Sequence, residues 1–290
     1  MNFSIKLLPA LILTMGITPF AQAAGPSVSG LLAPHKALYD IDLVATRSGS
    51  QVINISGKMF YEWRPSCDAW ITDHRFNLNY EYADSPGMTI TSDFSTYEPF
   101  DGTNFDFTSR RSRNGELYQE LRGRAELNGD KGGAVTYTSP EGLKFDLPPG
   151  MMFPMRHTLG MIDKAKGGGR FFPAHVFDGS DEEGPVEIST FIGQPINALK
   201  IVQPGKDLDM GLINTPAWSV RMAVFPDASD EEQSDYEMSM VFHENGVISD
   251  MLIEYDDFSV SQRLVALEEL KAEPCAGETA PVKKKKRFFE

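Results

Sequence analysis

Apolar side chains recur at every second position through most of this chain, and that alternation limits the fold more than any other feature. Tyr39, Ile41 and Leu43 alternate with Asp40 and Asp42 near the start of the pattern. Period two is typical of β-strands with one buried face. Turn pairs such as Asn-Gly at 114–115 and 245–246 separate such segments and favour tight antiparallel hairpins. The pattern predicts a mainly β protein built as one large antiparallel sheet, curved or barrel-like.

The alternation predicts strands along most of the chain. They include short strands at 175–178 and 199–202, whereas 260–270 fits either a final strand or a short helix.

One segment breaks the period. Met155, Leu159 and Ile162 share a face at helical spacing, Pro154 suits a first helical position, and three glycines follow at 167–169. The spacing predicts a single internal α-helix over about 154–166. Because it lies between two sets of strands, we expect it to plug the opening of the sheet.

The first 24 residues have the features of a cleaved signal peptide: Lys6, an apolar stretch from Leu7 to Phe20, and the small-residue pattern Ala21-Gln22-Ala23. We therefore expect an exported protein with no transmembrane segment in the mature chain. The predicted organisation is a signal peptide at 1–24, an N-terminal lead-in at 25–36, a single β domain at 37–275 and a disordered basic tail at 276–290.

The formal net charge of −14 argues against nucleic acid as a partner, because phosphate contacts require basic surface. The exception is the run Lys283–Arg287, followed by Phe288 and Phe289. It could serve as an anchor for anionic lipid, but a disordered, solvated end is the preferred interpretation.

Only two cysteines occur, Cys67 and Cys275. Their separation excludes a Cys-x-x-Cys redox or zinc motif, and in an exported protein two such residues favour one structural disulfide.

Short catalytic motifs are absent, and the five histidines are scattered, so neither a metal site nor a cofactor is expected. The acidic segments 178–183 and 227–232 resemble calcium loops in composition but lack EF-hand spacing, and solvated turns are favoured. A hydrolase that uses His157 or His175 with nearby carboxylates stays open as an alternative.

Methionine is concentrated at 151–161, with four residues there, close to Phe153, Phe171 and Phe172. Flexible thioethers suit an adaptable apolar pocket for an acyl chain or a partner segment. Ordinary core filling explains the same composition equally well.

Three motifs and the late Cys275 together resemble the EipB family of periplasmic cell-envelope integrity proteins. The motifs are Trp63-Arg-Pro-Ser-Cys-Asp-Ala-Trp70, the segment Leu147–Thr158 and Val176-Phe-Asp-Gly-Ser180. The resemblance runs from about Ala37 to Cys275.

The resemblance implies an antiparallel β-spiral with an internal helix, a Cys67–Cys275 disulfide and a non-enzymatic role in the envelope of Gram-negative bacteria. It also implies likeness to periplasmic lipoprotein carriers and a functional link to a periplasmic tetratricopeptide-repeat protein. We therefore favour a periplasmic protein that binds a lipid, a lipoprotein or an envelope protein. Eight motif residues are candidates for a binding or structural role: Trp63, Asp68, Trp70, Phe153, Met155, His157, Phe177 and Asp178.

Overall fold

A computed structural model describes residues 32–202, 205–226 and 233–271. Within these ranges, fourteen strands form one antiparallel sheet, accompanied by two α-helices. The strands are β1 His35–Thr46, β2 Val52–Pro65, β3 Ala69–Tyr82, β4 Met88–Pro99, β5 Asn104–Arg113, β6 Glu116–Leu127, β7 Gly133–Ser139, β8 Lys144–Leu147, β9 Phe171–Val176, β10 Val186–Ile196, β11 Ala217–Pro226, β12 Tyr236–His243, β13 Ile248–Glu254 and β14 Phe258–Glu269. The helices are α1 Pro154–Lys166 and α2 Met210–Ile213.

The sheet consists of two meanders joined at the first and last strands. Strands β1 to β8 pair in chain order, β9 to β14 do the same, and β1 pairs with β14. This leaves β8 and β9 as the two edges, which do not pair with each other, and the connection between them contains α1. The predicted class, a mainly β open sheet with an internal helix, is confirmed, and α1 occupies the predicted residues. The prediction of a single helix is wrong, because Asp209 caps a second, four-residue helix, α2.

Strand β3 shows how the alternation builds this sheet. Phe76, Leu78 and Tyr80 are half-buried on one face, whereas the intervening Arg75 and Asn77 are exposed. Apolar residues of the neighbouring strands lie on the same face, so the alternating positions together form one apolar inner surface.

The sheet curls until its inner face contacts itself. The rings of Tyr80 on β3 and Phe258 on β14 lie 6.3 Å apart, although β2 and β1 separate these strands in the sheet. The segment after β9 reaches the opposite meander, where the ring of Phe177 lies 5.6 Å from that of Phe107 on β5. Gly184, in the same segment, lies against the ring of Phe145 on edge strand β8, so the segment after β9 approaches the other edge of the sheet.

Helix α1 lies across one end of the curled sheet. Its N-terminus contacts Glu98 near the end of β4, and Lys166 in its last turn forms a 3.4 Å ion pair with Glu244, directly after β12. In an antiparallel sheet the end of β4, the start of β3 and the end of β12 lie at the same rim. The helix therefore covers this rim, as the sequence predicted.

Buried side chains form two apolar clusters. The larger combines the inner face of both meanders with Met155, Met161, Ile162 and Ala165 of α1. The smaller contains Phe105, Phe107, Leu121, Ala125, Val135, Tyr137, Leu147, Met151, Phe153 and Phe177. Helix α1 and the residues before it thus connect the two clusters.

Several details differ from the sequence predictions. Residues 199–202 are not a strand, because Ala198–Lys200 form a 3-10 turn. Strand β9 ends at Val176, so Phe177 and Asp178 lie beyond it, and β1 begins at His35, before the predicted domain start at Ala37. The ambiguous segment at 260–270 belongs to strand β14. The signal peptide, the acidic segment 227–232, Cys275 and the basic tail lie outside the described residues, and their assignments remain predictions.

Candidate functional site

The first motif forms the hairpin between β2 and β3. The rings of Trp63 and Trp70 stack with centroids 4.7 Å apart, and both side chains are buried. In the turn, Asp68 accepts hydrogen bonds from the hydroxyls of Ser66 and Tyr97, each at 3.0 Å. These contacts give Asp68 a role in holding the turn that contains Cys67. The predicted disulfide from Cys67 stays a prediction, since its partner lies beyond residue 271.

A carboxylate that the sequence did not single out caps the N-terminus of α1. Phe153 occupies the N-cap position, where its side chain can accept no hydrogen bond. Instead, Glu98 Oε2 accepts from the backbone N–H of Met155 at 2.9 Å, and its Oε1 accepts from that of Arg156 at 3.1 Å. Glu98 is the cross-strand partner of Trp70, which links the cap to the first motif.

Burial of the Glu98 carboxyl raises its pKa from 4.5 to about 7, and the two backbone N–H groups oppose that rise. The side chain is 2% exposed. Its protonation therefore changes near neutral pH, at the position where α1 is attached to the sheet.

The second and third motifs meet in the smaller cluster. The ring of Phe153 stacks on Phe105 with centroids 5.2 Å apart, and Phe177 contacts Phe107. Backbone hydrogen bonds join the motifs directly: Met152 N–H donates to the carbonyl of His175 at 2.9 Å, and Phe177 N–H donates to the carbonyl of Met152 at 3.0 Å. Phe153 and Phe177 are thus packing residues of one cluster.

Residues 177–184, which we call the closing segment, bridge the two meanders on the inner side. Arg111 on β5 donates to the carbonyl of Ser180 at 2.8 Å, and the hydroxyl of Tyr137 on β7 donates to that of Asp181 at 2.8 Å. Gly179 fits against the ring of Phe107, where a Cβ atom would lie 2.5 Å from Cγ. The closing segment therefore covers the gap that the unpaired edges leave.

The acidic residues of the closing segment form turns. Asp178 Oδ1 accepts from Ser180 N–H at 2.8 Å, and Asp181 Oδ1 accepts from Glu183 N–H at 2.8 Å. Burial raises the pKa of Asp178, and the bonds from Ser180 oppose the rise. Across the described part of the chain, no group of three or more His, Cys, Asp or Glu side chains is placed to hold a metal ion.

The two histidines of the hydrolase hypothesis have different environments. His157 in α1 is buried and stacks on Phe172 with centroids 5.5 Å apart, and burial lowers its pKa to about 4. Its Nε2 atom has no hydrogen-bond partner among the described residues. His175 lies exposed on edge strand β9. The two histidines do not form a shared site.

At the end of the sheet opposite α1, the inner face carries five aromatic side chains that are only half-buried. We call this group the aromatic rim; it consists of Tyr80, Tyr82, Tyr236, Tyr255 and Phe258. The ring centroids of Tyr236 and Tyr255 are 5.8 Å apart, and those of Tyr255 and Phe258 are 5.0 Å apart. Since Tyr80 stands ten residues after Trp70 in β3, the aromatic rim is roughly 30 Å along the strand from the end that α1 covers.

The tyrosines of the aromatic rim are uncharged at physiological pH, although the carboxylates of Asp235 and Asp257 lie close to Tyr236 and Tyr80. Burial raises the pKa of Tyr80 to about 12 and also raises the pKa values of Tyr236 and Tyr255. Half-buried Leu43, Leu78 and Met238 extend the same surface inward. The arrangement offers half-buried apolar and aromatic area, which suits an apolar chain better than a reaction that requires ionised groups.

Glu98 and Arg111 are the residues of this site that sequence reasoning missed. Each stands at an inward position of its strand: Glu98 shares its parity in β4 with Ile90 and Phe94, and Arg111 shares its parity in β5 with Phe107. A charged residue on the apolar face of an alternating strand is the signal that could have identified both.

Comparison with known proteins decides the family. A model of the family described as EipB-like matches residues 27–271. The chain belongs to the EipB-like family. Its relative "Cell envelope integrity protein EipB" from Brucella abortus (strain 2308) is 30% identical over 255 residues, which cover 86% of this chain and 88% of that protein.

A solved structure shows the same fold. The crystal structure of a β-barrel-like protein of the domain of unknown function DUF1849, also from Brucella abortus, superposes with a TM-score of 0.75 at 28% identity. The match covers 83% of this chain and 99% of that one. The resemblance predicted from the three motifs is confirmed, and the chain is related to a protein of cell-envelope integrity. No helix within the described ranges is long and apolar enough to cross a membrane.

Proposed function

We propose that this protein is a non-enzymatic, exported periplasmic factor that maintains cell-envelope integrity by holding an apolar segment on the inner face of its sheet. The segment would be the acyl chain of a lipid or lipoprotein, or an apolar stretch of an envelope protein. The single observation that carries the proposal is the half-buried apolar surface at the aromatic rim. The relationship to an envelope integrity protein supports the compartment.

The energetics favour a ligand at this surface. Apolar area removed from water contributes about 25 cal/mol per Å², so covering a few hundred Å² supplies several kcal/mol before the cost of association. Leu78, Tyr80 and Phe258 lie on a curved wall that can surround a chain from more than one side, because the sheet curls.

The buried surroundings of His157 argue against the hydrolase alternative. A general base needs access to its substrate and a pKa near the working pH. The pKa of His157 is about 4, well below neutral pH. The ring also packs on Phe172 inside the protein, so a substrate has no access to it. In a catalytic site, a carboxylate usually orients the histidine ring. Among the described residues, no carboxylate forms a hydrogen bond with the Nε2 atom of His157.

A periplasmic tetratricopeptide-repeat protein is the proposed protein partner. Repeats of this kind stack into solenoids with extended concave surfaces, which suit an exposed segment of a compact protein such as this one. Co-purification of tagged mature protein from an envelope fraction would test the partnership.

The ligand proposal is tested with the full mature chain and a fluorescent fatty acid. The test variant is Leu78→Glu, which places a charge on the inner face, and the control is Ile53→Glu, at a side chain 58% exposed on β2. We expect the wild type and Ile53→Glu to bind the probe and to restore a deletion strain, and Leu78→Glu to fail in both at unchanged abundance. The proposal would be overturned by two results together. The wild type would contain no lipid and bind no probe, and the Leu78→Glu variant would restore the deletion strain.

A further inference from the structure

We propose that the outer surface at edge strand β9 docks on anionic phospholipid. The surface is centred on Phe171 and Phe191, which we call the phenylalanine pair. Their side chains are 67% and 46% exposed, and their ring centroids are 5.3 Å apart. Two exposed phenylalanines in mutual contact form an apolar patch that water solvates poorly, unlike single exposed apolar residues.

The free edge of β9 is poorly suited to pairing with a strand of another protein. Phe171 pairs in register with Phe191 on β10, so the pair spans the edge strand and its neighbour. Pro173 stands in the middle of β9 and has no N–H to donate, and Met152 already donates to the carbonyl of His175. The exposed feature of this edge is therefore its side-chain face.

The segment that leads into Phe171 is basic, although the whole chain is acidic; the acidic residue on the same face is Glu187 on β10, opposite His175. Residues 164–176 contain Lys164, Lys166 and Arg170 and no Asp or Glu, in a chain with net charge −14. Lys166 is paired with Glu244, whereas no carboxylate of the described residues forms an ion pair with Lys164 or Arg170. The aliphatic stem of Lys164 runs beside Gly169, which places this lysine next to the start of β9.

Basic and aromatic side chains together match the interface of an anionic bilayer. Lys and Arg side chains near such a surface are attracted by its negative potential, and phenylalanine rings gain from entering the headgroup region. With only Lys164, Arg170 and the phenylalanine pair at the surface, we expect reversible attachment that weakens with salt, rather than permanent anchoring. This inference rests on the outer surface and does not depend on the proposed ligand on the inner face.

The test is co-sedimentation of the full mature chain with vesicles of phosphatidylglycerol and phosphatidylcholine, compared with vesicles of phosphatidylcholine alone. To remove any contribution of the basic tail, every protein carries Lys283→Gln, Lys284→Gln, Lys285→Gln, Lys286→Gln and Arg287→Gln. The test variant is Phe171→Ser/Phe191→Ser, and the matched control is Leu117→Ser/Tyr118→Ser, two neighbouring side chains on β6 that are each 48% exposed.

We expect binding to the anionic vesicles only, a loss of about tenfold in Phe171→Ser/Phe191→Ser, and unchanged binding in the control. Lys164→Gln/Arg170→Gln should also weaken binding, and all variants should melt like the parent. The proposal is overturned if the tail-neutralised parent does not sediment, if it binds both vesicle types equally, or if the two double-serine variants bind alike. A protein-binding role for the patch would appear as the first of these outcomes.

Discussion

The carboxylate of Glu98 on β4 accepts a hydrogen bond from the backbone N–H of Met155, in the first turn of α1, at 2.9 Å. The bond connects residues far apart in the chain and attaches the helix to the wall of the sheet. The first turn of a helix has N–H groups without intrahelical acceptors, and Phe153 cannot supply one. A remote carboxylate therefore performs the capping that a local Ser or Asp performs in most helices.

Glu98→Ala should destabilise the protein by about 2 kcal/mol, because it leaves buried N–H groups without acceptors. Glu98→Gln should cost less, since its amide oxygen still accepts one of the two bonds. Urea denaturation at pH 7 measures both. Glu116→Ala, at an exposed position on β6, is the control and should change the free energy of unfolding by less than about 0.5 kcal/mol. Equal losses in Glu98→Ala and Glu116→Ala would contradict the capping role.

Stability should also depend on pH through Glu98. Its pKa is about 7 in the folded protein and near 4.5 when exposed, so between these values the folded state holds a proton that the unfolded state has released. The proton-linked part of the Glu98 contribution to the free energy of unfolding is therefore full below about pH 4.5 and is lost as the pH rises towards 7, by up to about 3 kcal/mol, whereas the capping contribution tested by Glu98→Ala remains.

Buried histidines change the free energy of unfolding with pH in the opposite direction to Glu98. Burial lowers the pKa values of His74, His157 and His243 to about 4, so their contribution is lost as the pH falls below 6.5. The difference in unfolding free energy between wild type and Glu98→Gln isolates Glu98, and it should favour the wild type more at pH 5 than at pH 8. A difference that does not vary with pH would rule out the raised pKa.

His157 should be replaceable without loss of function. His157→Leu removes a buried nitrogen that has no described partner and keeps a side chain of similar volume on Phe172, so stability at pH 7 should change by about 1 kcal/mol or less. Because the leucine does not titrate, the variant should lose less stability than the wild type between pH 6.5 and 5. Combined with His175→Asn, it should still restore a deletion strain. Failure of this double variant at normal abundance would revive the hydrolase alternative.

Local signals in the sequence were sufficient for the class of fold and for α1. Alternation in β3 and the helical spacing of Met155, Leu159 and Ile162 each lie within a few consecutive residues, and both predictions are confirmed. The predicted strand at 199–202 is wrong for an equally local reason: Asn197 accepts a hydrogen bond from Leu199 N–H and starts a 3-10 turn. The asparagine was the signal of a turn.

The candidate site depends on contacts that no local pattern contains. The link between Glu98 and Met155 requires knowing where the end of β4 lies relative to α1, and the partial exposure of Tyr80 depends on how far the sheet curls towards Phe258. The motif residues were identified from the sequence, but their roles were not. Trp63, Trp70, Phe153 and Phe177 pack, whereas the half-buried surface lies at the other end of the sheet.

The closing segment should tolerate no side chain at Gly179. This glycine has a φ of +68°, and a Cβ atom there would lie 2.5 Å from Phe107 Cγ, so Gly179→Ala combines backbone strain with displacement of a buried ring. Gly115 is the matched control, since its φ of +84° is similarly unfavourable for alanine but nothing lies within 4 Å of the added carbon. We expect Gly115→Ala to cost about 1 kcal/mol and Gly179→Ala about 3 kcal/mol, measured by urea denaturation. The excess in Gly179→Ala measures the packing of Gly179 on Phe107 of β5, and similar losses in the two variants would contradict that close packing.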